Sequence, residues 1–166
     1  MVWSTLITAF IGWSAGFIAA FGYIGVFVVS MISAASIFLP LPGFIFIVAA
    51  SPFLNPWLVG IIAGAGSAVG EMTGYAVGKG SNHALRRKDS KWLKRGEKWF
   101  RKDRGFLFIL LFAATPLPDD VTGILGGMFR YDWKMFLLAS FLGKTALNLV
   151  LAVTGFYGIN TLLSLG

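Results

Sequence analysis

Four ionisable residues stand inside apolar stretches of the sequence, where a charge is costly. Glu71 and Lys144 each lie within a long apolar run, and Asp119 and Asp120 follow a proline-bearing turn. A charge at the membrane centre costs roughly 2.5–3.5 kcal/mol on insertion scales, so paired or functional placement is expected. Fully ionised, the four charges would sum to −2, which predicts that one or two carboxyl groups are protonated or hold a cation.

Helical spacing gives two of these charges polar neighbours. Residues one turn apart lie on the same face of a helix, and each of the two apolar runs carries polar side chains at that spacing. The supporting polar residues of the candidate site are Ser67, Tyr75, Asn148 and Arg130.

Two interpretations of these charges stay open. A salt bridge from Lys144 to Glu71 or to an aspartate would only lock helices together. A proton- or ion-coupled transport site would instead use Glu71 as the coupling residue, with Ser67 and Tyr75 as its hydrogen-bond partners. Asp119 and Asp120 would then contact the substrate or ion.

Composition identifies the surroundings of these residues as a membrane. The chain has 166 residues, of which 57% are apolar, 13% are charged and none is cysteine. Soluble domains carry about 25% charged residues, whereas residues 1–70 contain no Asp, Glu, Lys, Arg or His. We therefore expect an all-α integral membrane protein, without disulfides or thiolate metal sites.

The apolar segments predict both spans and interrupted hairpins. Residues Trp3 to Ala20 form an N-terminal helix that spans or lies at the interface, and a bend at Phe21–Gly25 precedes a helix ending near Ala35. Spanning helices are expected at 57–78 and 135–157. Between them, two proline-bearing segments separate apolar pieces that are too short to span, which favours re-entrant hairpins. The hairpin tips are Pro40, Pro42, Pro116 and Pro118.

Glycines at four-residue intervals mark the first spanning helix. Their spacing predicts one flat helix face that packs closely against another helix. These glycines are Gly66, Gly70, Gly74 and Gly78.

The two halves of the chain share an order of parts. Pro40-Leu41-Pro42 recurs as Pro116-Leu117-Pro118, and each precedes a helix with a charge directly after a glycine, Gly70-Glu71 and Gly143-Lys144. Such an order is typical of an inverted repeat in a transporter. We expect one membrane domain over 1–166, with repeats at about 22–78 and 106–158 around a basic segment at 79–105.

The basic segment predicts the orientation of the chain. Between Lys79 and Arg104 there are 11 Lys or Arg and 3 acidic residues, so residues 79–104 are expected to face the cytoplasm of a prokaryotic-type plasma membrane. Within it an apolar stripe on a cationic helix would lie in the interface of an anionic leaflet. The stripe consists of Leu85, Trp92, Leu93, Trp99 and Phe100.

Enzymatic chemistry is not expected from this sequence. It contains no HExxH, no GxSxG and no phosphate-binding loop. No cofactor is expected beyond protons or a monovalent cation. Nucleic acid is not an expected partner, since a membrane accounts for the basic charge.

The element Gly70-Glu71-Met72-Thr73-Gly74-Tyr75-Ala76-Val77-Gly78, between two proline hairpins, resembles the DedA/VTT-domain family, also called SNARE-associated Golgi protein-like. The resemblance covers about residues 22–158 and implies membrane transport or lipid translocation, with Glu71 as the family acid. Bacterial members often carry an acid where this chain has Phe44, and arginines around the second hairpin proline. The chain has Asp119 and Asp120 there, which favours cation or proton coupling over a phosphate-headed substrate.

The sequence thus leads to one main hypothesis and two alternatives. The main hypothesis is a transporter that translocates or scrambles a lipid or lipid-linked substrate, coupled to protons, in contact with membrane lipids and with a homo-oligomer as one expected assembly. The alternatives are a cation- or proton-coupled exporter of small molecules or ions, and a non-transporting membrane scaffold.

Overall fold

The computed structural model describes residues 13, 16–36, 43–86, 91–101, 103–115 and 120–164. Within these ranges the regular structure is α-helical, without strands, which confirms the predicted all-α class. Seven helices are labelled in chain order: α1 Tyr23–Ala35, α2 Gly43–Ala50, α3 Pro56–Arg86, α4 Lys91–Trp99, α5 Asp103–Ala113, α6 Asp120–Met128 and α7 Trp133–Ser164.

A glycine turn precedes α1, as the sequence predicts. Residues 16–21 are helical, and Gly22 follows them with a φ of 55°. This left-handed conformation suits glycine because it has no Cβ. A Cβ at Gly25 would lie 2.7 Å from Ile18 Cα, so the two helical segments pack backbone against backbone. Of the predicted helix from Trp3 to Ala20, residues 3–12 and 14–15 lie outside the described residues.

The long helices α3 and α7 share the most extensive interface of the fold. They run antiparallel, because Gly60 faces Leu149 whereas Gly64, one turn later, faces Thr145. A Cβ at either glycine would lie 2.7 Å from the Cα of the residue it faces. Close contact of these two helices therefore depends on the absence of side chains at Gly60 and Gly64.

Helices α1 and α6 both run parallel to α3. Gly66 and Gly70 of α3 face Phe27 and Met31 of α1 in turn. Further along α3, the backbone at Tyr75 faces Gly123 and Gly127 of α6. Helix α1 therefore covers the first part of α3, and α6 covers the second part.

This arrangement corrects the prediction that four glycines serve one partner helix. Gly66 and Gly70 contact α1, whereas Gly78 contacts the backbone of Ile124 in α6. An α-helix turns by about 100° per residue, so positions four apart drift by about 40° around the helix at each step. The glycine stripe winds around α3 and meets two helices in succession.

Helix α7 packs against two further short helices, α5 and α2. Gly143 lies against the end of α5, where a Cβ would be 2.7 Å from Ala113 Cβ. Gly155 lies against α2, where a Cβ would be 2.9 Å from Val48 Cα. The long helices thus each pack on one short helix from each half of the chain.

Many large apolar side chains lie on the exterior of the described helices, and a few polar side chains are buried among them. Large apolar side chains such as Phe53, Ile24 and Val150 are exposed, whereas Glu71 and Asn148 are buried. Trp133–Gly158 is long and apolar enough to cross a membrane, and Tyr23–Ala35 is a shorter apolar helix. Among the described residues, Trp133–Gly158 is the one helix that meets this criterion, so the expected span at 57–78, which lies within α3, does not meet it.

Two helices contain most of the described part of the basic segment: α3, which continues to Arg86, and α4, which begins at Lys91. Phe100 is only 2% exposed and packs against Phe129 and Phe108, whereas Trp99 is exposed. The prediction was wrong for Phe100, because α5 and the end of α6 supply a protein core that covers its ring. The side chains of Leu85, Trp92 and Leu93 lie outside the described residues.

Candidate functional site

An ion pair joins the two longest helices at the centre of the candidate site. The Nζ atom of Lys144 in α7 lies 3.1 Å from Oε1 of Glu71 in α3. The Glu71 side chain is 3% exposed and the Lys144 side chain 13% exposed. The structure therefore brings together two of the four charges that the sequence singled out.

Glycine contacts place each member of the pair. Gly70, directly before Glu71, is covered by the end of α1, where a Cβ would lie 2.9 Å from Ala34 Cβ. Gly143, directly before Lys144, is covered in the same way by Ala113 of α5. Each short helix thus occupies the face beside the charged residue, and the charged side chain is directed to the interface of α3 with α7.

Three short helices begin or end beside the Glu71–Lys144 ion pair. The Thr73 hydroxyl donates a hydrogen bond of 3.2 Å to the carbonyl oxygen of Ala35, the last residue of α1. Gly123, in the first turn of α6, faces the Glu71 carbonyl. The end of α5 lies beside Gly143, next to Lys144. The ends of α1 and α5 and the start of α6 therefore all lie close to the ion pair.

The residues of the two turns lie largely outside the described ranges. Asp120 begins α6, one turn before Gly123, although its side chain is not described. The predicted tips and the second aspartate lie in undescribed segments: Pro40, Pro42, Pro116, Pro118 and Asp119.

Buried hydroxyl and amide groups surround the pair. Ser67 lies one turn before Glu71 in α3, and Asn148 lies one turn after Lys144 in α7; both are buried. The Asn148 Nδ2 and the hydroxyl oxygens of Ser140 and Thr145 are buried and make no hydrogen bond within the described part of the chain. Polar groups of this kind normally have a partner, so the site has hydrogen-bonding capacity for a polar ligand.

Ser140 is a site residue that sequence reasoning missed. It is fully buried one turn before Lys144, just as Ser67 lies one turn before Glu71. The four-residue spacing was the available signal, since positions i and i+4 share a helix face. Serine is so common in membrane helices that its spacing alone did not distinguish it.

Tyr75 does not take the predicted position as a partner of Glu71. Its hydroxyl donates a hydrogen bond of 2.5 Å to the carbonyl oxygen of Tyr131, and its ring packs against Phe136 at 5.1 Å between centroids. The Tyr75 side chain extends toward the start of α7, so its hydroxyl bonds there and not to Glu71. Tyr75 therefore connects α3 to the turn between α6 and α7.

The turn between α6 and α7 forms a second polar region. Arg130 lies here, exposed and at the opposite end of α6 from the ion pair. Burial raises the pKa of the neighbouring Tyr131 phenol above its ordinary value, and the negative charges of Asp132 and Asp103 raise it further. Arg130, predicted as a supporting residue of the site, is therefore part of a separate surface.

The chemistry available at the ion pair is that of one carboxylate, one ammonium group and several neutral donors and acceptors. Within the described ranges, no three His, Cys, Asp or Glu side chains come close enough to hold a metal ion. The arrangement can bind a proton or a cation at the carboxylate when Lys144 moves away. It can also exchange the internal ion pair for contacts with a polar ligand.

Comparison with known proteins identifies the family. The model of the VTT domain matches residues 41–157. This chain belongs to the VTT-domain family. VTT-domain proteins are membrane proteins, which agrees with the apolar exterior of the helices. The resemblance to this family that the sequence suggested is thereby confirmed.

A curated relative extends the comparison without adding a function. An uncharacterized protein of Methanocaldococcus jannaschii is 29% identical over 127 residues, which are 75% of this chain and 78% of that protein. No solved structure matches the chain. The packing around Glu71 and Lys144 is thus the most direct guide to what this VTT domain does.

Proposed function

We propose that this VTT-domain protein is a multi-pass transporter of the plasma membrane that translocates or scrambles a lipid or lipid-linked substrate with proton coupling. The observation that carries the proposal is the buried Glu71–Lys144 pair at 3.1 Å between the two longest helices. A buried ion pair adds little net stability compared with apolar packing. Intramembrane charges of this kind are characteristic of substrate paths and proton relays.

Repetition of the packing supports an inverted repeat. Helices α1, α2 and α3 in the first half correspond to α5, α6 and α7 in the second. A Cβ at Gly70 would meet the Met31 carbonyl, Ala34 Cβ and the Ala35 amide. A Cβ at Gly143 would meet the matching groups of Leu110 and Ala113 in α5 and of Ala114 directly after it. The antiparallel arrangement of α3 and α7 gives the two halves opposite orientations. Transporters with this organisation bind substrate at the interface of the repeats.

The lengths of the short helices support re-entrant hairpins. Helix α1 has 13 residues, and α6 has 9. At 1.5 Å per residue these are about 20 Å and about 14 Å long, and neither reaches across a hydrocarbon core of about 30 Å. In this arrangement the first hairpin would open to the outside and the second to the cytoplasm, and the described ends of α1 and α5 lie close to the ion pair.

Proton coupling follows from the balance of charge at this level. From the sequence we expect the second hairpin to bring Asp119 and Asp120 to a site with one lysine, so that the carboxyl groups would outnumber the ammonium group. Protonation of Glu71 would release Lys144 and separate α3 from α7 at this depth. The buried hydroxyls and the Asn148 amide would then receive the polar part of the substrate.

The test is lipid transport in reconstituted vesicles at several pH values. Purified full-length chain is placed in vesicles that contain fluorescent lipids, and the rate of movement between leaflets is measured from pH 5 to 9. The wild type is expected to move lipid at a rate that depends on pH. Glu71→Gln, which resembles the protonated form, is expected to lose that dependence; because it also removes one charge of the buried pair, thermal unfolding in detergent first establishes that the variant is folded.

Glu97→Gln is the matched control, since it makes the same change on α4, outside the membrane helices. It should retain the wild-type pH dependence. Full pH dependence in Glu71→Gln would contradict coupling at Glu71 and would leave the pair with a purely structural role. No lipid movement by the wild type at any pH would contradict the lipid substrate.

The cation-coupled exporter is a second candidate, favoured by the acidic start of α6 at Asp120. The same vesicles, loaded with a pH indicator and given a gradient of sodium or potassium ions, test this candidate. A cation-dependent pH change without lipid movement would favour it. Wild-type vesicles with neither activity would favour the scaffold, with the exposed basic face of α4 as its contact surface.

A further inference from the structure

A cavity with two cationic side chains lies where α3 passes the turn between α6 and α7. Its volume is about 720 Å³. It is formed by the middle of α3 and the turn between α6 and α7, with Tyr75 as its innermost residue. Its lining residues are Tyr75, Ala76, Lys79, Gly80, Arg130, Tyr131, Asp132 and Trp133.

The charge of this cavity favours an anion. Lys79 and Arg130 contribute two positive charges from two different elements of the fold. Among the described residues of the lining, Asp132 is the one acidic residue, and its Oδ1 accepts hydrogen bonds from the backbone amides of Lys134 and Met135 at 2.9 and 3.0 Å. Asp132 therefore acts as the N-cap of α7, and the described lining carries two cationic side chains and one acidic side chain.

Arg130 has a backbone conformation that is unfavourable for a residue with a side chain. Helix α6 ends in a Schellman motif, in which Tyr131 N–H bonds to the Gly126 carbonyl and Arg130 N–H bonds to the Gly127 carbonyl. Arg130 occupies the left-handed position of this motif with a φ of 54°. Glycine is the residue that this position favours, and strained residues concentrate at functional sites.

The cavity lies where two membrane helices leave the apolar region. The apolar part of α7 that could cross a membrane begins at Trp133, and the apolar run of α3 ends at Lys79. An exposed tryptophan with a lysine over its ring is typical of the membrane–water interface. The cations of the cavity are therefore at the level of lipid headgroups.

We propose that this cavity binds an anionic phosphate group at the cytoplasmic interface. The guanidinium fork of Arg130 suits a phosphate geometrically, and Lys79 adds a point charge. This site is distinct from the ion pair and does not require the chain to transport anything. The phosphate group has two sources, the headgroup of an anionic lipid and free phosphate in the cytoplasm.

Binding is tested on the purified full-length chain. Native mass spectrometry counts the phosphatidylglycerol retained by the chain at increasing lipid concentration, with phosphatidylcholine as the zwitterionic comparison. A parallel calorimetric titration uses inorganic phosphate on protein kept in phosphatidylcholine. The wild type is expected to retain phosphatidylglycerol over phosphatidylcholine if the source is lipid, and to bind inorganic phosphate if the source is soluble.

The decisive variant is Lys79→Gln with Arg130→Gln, which should weaken binding by at least about tenfold, the equivalent of one charge-assisted hydrogen bond. Lys91→Gln with Arg101→Gln makes the same changes at two exposed cations outside the cavity and should bind like the wild type. Arg130→Gly guards against misfolding, because glycine relieves the positive φ while it removes the guanidinium group.

Three results would overturn the proposal. Equal binding by the wild type and the Lys79/Arg130 double variant would show that the cavity is not the site. Equal loss in the Lys91/Arg101 control would show a general electrostatic attraction. Absence of binding in both the phosphatidylglycerol and the inorganic phosphate titrations would exclude a phosphate ligand.

Discussion

The segments around Glu71 and Lys144 have the same local construction and opposite charge. In each, a glycine rests on the end of a short helix, the next residue is charged, and a serine lies one turn earlier. The backbone contacts of Gly70 and Gly143 match group for group. The comparison shows that packing requires a small residue at both positions, whereas the charges differ because they must face each other.

The two segments diverge one turn after the charge. In α3 that position is Tyr75, whose hydroxyl bonds to the Tyr131 carbonyl within an aromatic cluster. In α7 it is Asn148, which is buried without a hydrogen bond to any described residue through its Nδ2. On the α3 side, the position after the ion pair is therefore packed by the aromatic rings around Tyr75. On the α7 side, the same position retains the polar amide of Asn148.

The largest expected effect comes from removing one charge of the pair. Lys144→Ala leaves Glu71 buried beside neutral groups and should reduce the free energy of unfolding by about 3–5 kcal/mol. Thermal unfolding in detergent measures this loss. The exchange of both residues, Glu71→Lys with Lys144→Glu, should recover most of it, and a wild-type midpoint in Lys144→Ala would show that the pair is not a stabilising contact.

Alanine at the two matched glycines tests whether the two segments really pack alike. A Cβ would lie 2.9 Å from Ala34 Cβ at Gly70 and 2.7 Å from Ala113 Cβ at Gly143. Overpacking of this kind costs about 1–3 kcal/mol, so Gly70→Ala and Gly143→Ala should lower the unfolding midpoint by similar amounts. Gly80→Ala is the control, because nothing lies within 4 Å of its Cβ position. A lower unfolding midpoint in only one of the two variants would show that the segments around Gly70 and Gly143 do not pack alike.

Tyr75→Phe examines the point where the segments diverge. The change removes the hydrogen bond to the Tyr131 carbonyl and retains the ring contact with Phe136. The expected loss is about 1 kcal/mol in the free energy of unfolding, measured by the same unfolding experiment. The pH dependence of transport should remain, since the hydroxyl does not bond to Glu71. Loss of the pH dependence in Tyr75→Phe would show that the Tyr75 hydroxyl takes part in coupling at Glu71.

The smallest expected effect is at Ser140. Its buried hydroxyl makes no hydrogen bond within the described residues, so Ser140→Ala removes an uncompensated polar group and should not lower the free energy of unfolding by more than about 0.5 kcal/mol. Ser51→Ala is the matched control, because the Ser51 hydroxyl donates a 2.7 Å hydrogen bond to the Val48 carbonyl. It should lose about 1 kcal/mol. A larger loss at Ser140 than at Ser51 would show that Ser140 has a structural partner.

Most helices of the described chain were predictable, because their apolar runs are bounded by glycine, proline or charge. The bend at Gly22, the end of α1 at Ala35 and the short helix α5 all agree with the sequence prediction. Phe100 was assigned to the membrane interface instead of the core, since its spacing fits both locations. Only the packing of α5 and α6 distinguishes them.

The sequence by itself determined that Glu71 and Lys144 are buried in apolar helices, because a residue's neighbours along the chain fix its apolar surroundings. It also determined the family. Only the tertiary structure decided which charges meet, that Tyr75 turns to Tyr131, and that Lys79 and Arg130 line one cavity. Contacts between distant segments depend on the angular drift of each helix face and on backbone approach at glycines, which local spacing does not specify.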